Sequence, residues 1–157
     1  LLPSIPLAEP HELTTLIDHR RVQTLEKYEL SILETLAPDD QVAQFYSDLV
    51  LTNMLRGKKV MHLHDQQAFA YLPGHTMVVP PNLKMLIDFP EASDETPTQC
   101  VALAIDRLQI IDTVNYLNEF YPRTEGEKWN LSLSQYAFYN NEDITALIYK
   151  LVRVGFE

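Results

Sequence analysis

His62-Leu63-His64 is the group of residues in this sequence with the plainest chemical potential. On an extended strand, residues two apart point to the same face, and two imidazoles begin a site for zinc, iron or manganese. A third ligand is required, and Asp65 and His75 stand nearest. Asp65 adjoins His64 and so faces the other side of the strand, while His75 sits in the turn Pro73-Gly74-His75. Two half-exposed histidines near a hairpin end are therefore the expected arrangement. A metal-dependent enzyme using His62, His64 and His75 is the competing one.

Other chemistries find less support. Cys100, in TPTQCVALAI, has no basic neighbour within its run and reads as a small buried hydrophobe, not an activated thiolate. There is no Gly-x-Ser-x-Gly elbow, and Gly57, Gly74, Gly126 and Gly155 stand isolated, so neither a phosphate-cradling loop nor a dinucleotide fingerprint can be built. The paired acids Asp39-Asp40 and Asp94-Glu95 lie in turn-like stretches where nothing local raises a carboxyl pKa for general-acid work. No catalytic residue, metal ligand or cofactor is expected.

Composition bounds the rest. A chain of 157 residues, 46% hydrophobic and 22% charged, fits one domain with an interior. Twelve basic against twenty-two acidic residues give a net charge of −10, which repels a phosphate backbone. The dense basic cluster Arg56-Gly57-Lys58-Lys59 reads as a solvated turn. One cysteine cannot form an internal disulfide, which fits a reducing cytoplasm. No apolar run approaches the roughly 20 residues of a membrane span, and the proline-broken start LLPSIPLAEPHEL is unlike a secretion signal. Both ends read as trimmed from a longer protein.

The elements that must position these residues are mostly strands. Leu13, Leu16 and Ile17 suggest a short first helix ending in the basic His19-Arg20-Arg21. From Tyr28, the runs YELSILET, LVLTNMLR, KKVMHLH, AFAYL, TMVVP, LKMLIDF and TQCVALAI follow with turn residues between them, which predicts seven or eight strands in a sandwich or barrel. Asp106 then caps a helix carrying Leu108, Ile111, Val114, Leu117 and Tyr121, closed by Pro122. TEGEKWNLSLSQYAFYN reads as a loop anchored by Trp129. A second helix runs from the cap Asn141 to Val154, with Ile144, Leu147, Ile148, Leu151 and Val152 on one face and Gly155 after its end.

The series LVLTNMLRGKKVMHLHDQQAFAYLPGHTMVVPPN, followed by FPEASDETPTQCVALAID and IIDTVNYLNEFYP, resembles the cupin superfamily and, more closely, the N-terminal regulatory domain of AraC-type transcription regulators. The resemblance covers about residues 28–156. It implies a cupin-like antiparallel β-barrel (about 24–105), a helical dimerisation segment (106–157) and a helix-turn-helix DNA-binding domain beyond the C-terminal end. The implied partners are a second copy of the chain, a small-molecule effector, and DNA through the absent domain. Metal-binding cupins place a histidine three residues after PPN; here that residue is Met85, a soft thioether unsuited to a hard divalent ion. Their histidine pair would fall in DLVLTNML, which has none.

With Met85 facing inward, alternation adds Ile87, and Gln99 and Val101 are expected to share the cavity with Met54. The expected dimer contact is Ile144, Leu147, Ile148 and Leu151. Three functions compete: an effector-sensing regulatory module, a metal-dependent cupin oxygenase or isomerase, and an architectural dimerisation domain with a filled barrel.

Overall fold

The computed structural model describes residues 19–25, 27–131 and 136–156. Strands β1 (His19–Leu25), β2 (Tyr28–Thr35), β3 (Asp39–Gln44), β4 (Leu49–Arg56), β5 (Lys59–His62), β6 (Phe69–Tyr71), β7 (His75–Val79), β8 (Met85–Phe89) and β9 (Thr98–Ile105) lead into helix α1 (Arg107–Phe120). A short strand β10 (Ala137–Asn140) precedes helix α2 (Glu142–Phe156).

The strands form two antiparallel sheets, one in the order β1-β2-β9-β4-β7-β10 and one in the order β3-β8-β5-β6. Period-two alternation supplies their common core: Met54 and Val50 from β4, Met77 and Val79 from β7, Met61 from β5, Tyr71 from β6, and Met85, Ile87 and Phe89 from β8 pack together. The outer face of the larger sheet is apolar too. Leu30, Ile32 and Val101 lie beneath Ile148 and Val152 of α2.

Corners rely on left-handed backbone. Gly57 (φ +78°) carries the chain from β4 in one sheet to β5 in the other, and a Cβ there would lie 2.5 Å from Thr98 Oγ1 and 2.9 Å from Thr98 Cα. Gly74 (φ +87°) turns β6 into β7, which is what the Pro73-Gly74 pair requires.

Several expectations change. Leu13, Leu16 and Ile17 fall outside the described residues, but His19-Arg20-Arg21 do not end a helix: they open β1, which pairs with β2 residue for residue from His19↔Glu34 to Leu25↔Tyr28. Asp39-Asp40 begin β3, an edge strand whose register shifts between Asp39 and Val42. Residues 137–140, read as loop, form β10 on the edge of the larger sheet; residues 132–135 lie outside the described residues. Together these three strands raise the seven or eight expected to ten among the described residues.

The helices start where their caps dictate. Asp106 Oδ1 accepts from the amides of Leu108 and Gln109, and Asn141 Oδ1 from those of Asp143 and Ile144. α2 runs through Gly155 instead of stopping before it. That glycine serves close packing, since a Cβ would approach Leu30 Cδ2 to 3.1 Å.

Candidate functional site

Three spaces share lining residues, one open to the surface and two between the sheets. The largest, about 520 Å³, lies where the β1–β2 turn, the β3–β4 loop and the end of β9 meet, with Tyr28, Phe45, Tyr46, Asp48, Val50 and Ala104 among its walls. This volume falls within the range of small-molecule pockets. Tyr46 also lines a gap of about 10 Å³ inside the core, beside Met61, Met77, Met85 and Ile87. Gln44 and Lys59 line that gap and a third cavity of about 50 Å³. Tyr46 is held in place: its phenolic oxygen accepts from Gln44 Nε2 at 2.9 Å, and its carbonyl accepts from Asn82 N at 2.7 Å.

The interior is polar at selected points. Thr52 Oγ1 and the Tyr71 phenol share a hydrogen bond of 2.9 Å, and burial pushes that phenol's pKa up. Lys59, read from sequence as part of a solvated turn, is only 5% exposed. β5 alternates with Lys59 and Met61 inward, so the strand that begins after Gly57 draws the lysine into the core. Its Nζ lies 3.0 Å from Cys100 Sγ. Cys100 is buried as expected, but a basic group reaches it from a strand 41 residues away. Sequence reasoning missed Lys59; the inward pairing K-x-M within KVMH was the available signal.

The five expected pocket residues divide between two faces. Met54, Met85 and Ile87 meet in the core between the sheets. Gln99 and Val101 do not join them: Cys100 and Ala102 of β9 face that core, while Val101 lies under α2. Gln99 is buried and donates through Nε2 to Glu34 Oε2 at 2.6 Å. The register is the visible cause: β4 and β9 pair without a break from Leu49↔Ile105 to Met54↔Cys100, which puts Cys100 on the face of Met54 and Val101, opposite Asn53, on the other.

The expected dimer stripe divides likewise. Ile148 is buried against the sheet, and Ile144 and Leu151 pack partly against the same cluster. Leu147 faces outward, 68% exposed. On α1, Leu108, Ile111, Tyr116 and Phe120 are exposed. The anchor role of Trp129 does appear: its indole donates to Tyr121 O at 2.6 Å, and its backbone pairs with the Asn118 amide in both directions.

The histidines are dispersed. β5 ends at His62, whose Nε2 lies 2.6 Å from Asp88 Oδ2; His64 is in the following turn with its side chain 95% exposed; His75 Nδ1 accepts from Leu72 N. Among the described residues, no three His, Cys, Asp or Glu side chains are grouped to hold a metal ion.

A polar tie joins the barrel to α2. The Asn53 amide nitrogen faces His75 O, Thr76 Oγ1 and Thr145 Oγ1 at 3.2, 2.7 and 3.2 Å, and Thr145 Oγ1 donates to Gly74 O at 3.1 Å.

The family described as AraC-type transcriptional regulator N-terminus matches residues 28–154. Among solved structures, ToxT from Vibrio cholerae is similar with a TM-score of 0.59 at 9% identity, over 81% of this chain and 48% of that one. This chain thus spans about half of the ToxT length, and the likeness is one of fold. An RmlC-like cupin from Methanocaldococcus jannaschii, with a double-stranded β-helix, is similar with a TM-score of 0.49 at 15% identity, over 71% of this chain and 98% of that one. No curated protein matches the sequence.

Proposed function

This chain belongs to the family of AraC-type transcriptional regulator N-termini, and on that premise we propose that its barrel receives a small effector whose occupancy is passed to the helices. The carrying observation is that an open mouth at Phe45 and Val50 shares Tyr46 with a small gap in the core, which shares Gln44 and Lys59 with a third cavity. A ligand there presses on β4 and β7, and the tie from Asn53 and Gly74 to Thr145 joins those strands to the first turn of α2. Such a ligand acts only through different affinities for two arrangements.

Two copies associate in this reading, with the exposed apolar residues of α1 and Leu147 of α2 as the contact, and a helix-turn-helix domain elsewhere in the protein reads DNA. Thermal unfolding against a panel of small organic compounds tests the effector half. A saturable rise in Tm is expected, since a ligand at 100 times its Kd adds about 2.7 kcal/mol. Ala104→Phe, which fills the mouth, should abolish it. Failure of every compound to shift Tm would favour a filled, purely architectural barrel.

A further inference from the structure

Lys59 is a cation built into the interior without an acidic partner among the described residues. Its partners are the Cys100 thiol at 3.0 Å and the Phe89 ring, whose centroid lies 5.4 Å away. A thiol is a weak acceptor and the ammonium carries three donors, so most of its capacity is left over. Buried charges are ordinarily paired, because an isolated ion in a medium of low polarity is costly. No acidic side chain lines either interior cavity that Lys59 borders. The neighbouring buried acid, Glu34, sits on the other face of the sheet, where it accepts from Gln99.

A second side chain bordering the same space, Thr98, carries a polar atom that packs against Gly57. Thr98 Oγ1 is buried and has no hydrogen-bond partner among the described residues. Thr98 and Lys59 both border the cavity of about 50 Å³, together with Thr35, Gln44 and the apolar Leu33 and Phe89. That space is several times the ~10–15 Å³ one water requires. An ammonium with spare donors beside an unsatisfied hydroxyl complements a carboxylate, since charge-assisted hydrogen bonds are the strong ones. The apolar walls accept a short hydrocarbon stem.

We propose that this cavity is the anion subsite of the effector pocket and takes the carboxylate of a small aliphatic carboxylic acid, held by Lys59 Nζ and Thr98 Oγ1. The proposal rests on the effector-sensing reading and adds the chemical class of the ligand. Titration calorimetry of the 157-residue chain with sodium propionate, propionamide and sodium sulfate tests it. Propionate should bind saturably, with propionamide and sulfate at least about tenfold weaker.

Lys59→Met should weaken propionate about 10- to 100-fold, while Thr98→Val weakens it and Thr98→Ser, which keeps the hydroxyl, does not. Without ligand, Lys59→Met should unfold at a higher temperature than the parent chain, because it removes a buried charge that has no acidic partner among the described residues. Equal binding of propionamide, or unchanged affinity in a folded Lys59→Met chain, would overturn the subsite. Were a panel to yield neutral ligands alone, the subsite would fall and the sensor would stand; a panel with no ligand of any charge would remove both.

Discussion

Asn53, on β4, and Thr145, in the first turn of α2, are 92 residues apart in sequence and meet through Nδ2 and Oγ1 at 3.2 Å. Asn53 is fully buried, so its amide was withdrawn from water to make this contact. Asn53→Ala and Thr145→Val should each cost about 1–3 kcal/mol. If the two residues act as one tie, the double variant should lose less than the sum by about 0.5 kcal/mol or more in denaturant unfolding. Strict additivity would separate the barrel from the helix energetically.

The face of α2 can be tested directly. Ile148 is 5% exposed and Leu147 is 68% exposed, although they are neighbours in sequence. Ile148→Ala should destabilise by about 2–5 kcal/mol, and Leu147→Ala should stay within about 0.5 kcal/mol. Similar losses at both positions would contradict the packing of the helix on the sheet.

Association should respond to a different set of residues. Leu108→Glu with Ile111→Glu on α1 should shift the chain from dimer to monomer in sedimentation velocity, and Leu147→Glu should weaken association. A parent chain that sediments as a monomer at every concentration would remove the dimer.

Gly57 is closed to other residues for two reasons, its positive φ and the closeness of Thr98 backbone. Gly57→Ala should therefore cost more than the ~1 kcal/mol of an ordinary glycine replacement, read as a fall in Tm. A neutral effect would mean that the β4–β5 corner can move away from β9.

Asp88 contributes to the acid dependence of stability. Its hydrogen bond to His62 first, and the Gln41 amide at 2.7 Å second, hold its carboxyl below the usual carboxylate range. A carboxyl depressed in the folded state stabilises above the unfolded value of about 3.9, and that contribution disappears as pH falls through the lower folded value. Asp88→Asn should flatten this part of the acid limb in a plot of Tm against pH. An unaltered limb would assign the dependence to other carboxylates.

Legibility in the sequence followed the number of faces each element buries. MLIDF in β8 alternates cleanly, so Met85 and Ile87 could be placed on one side from their spacing. TQCVALAI could not be oriented that way, because Thr98 to Ala102 are all buried, some against the core and others beneath α2 or against Glu34. Period-two reasoning has no sign when both faces are covered. The stripe on α2 was correctly apolar, but sequence does not say whether a helix covers its own sheet or another molecule. Lys59 was hidden by its neighbours, since Arg56 and Lys58 do lie toward solvent.

β10 has a protective consequence. It sits at the end of the six-stranded order and occupies the hydrogen-bonding edge of β7 from His75 to Val78. Stripped of its guard, β7 would offer unpaired amides and carbonyls along an apolar ribbon, the kind of template on which chains stack into aggregates. The segment that follows α1 therefore shields the sheet from its own kind, and cutting the chain back to Phe120 would exchange a defined fold for a sticky one.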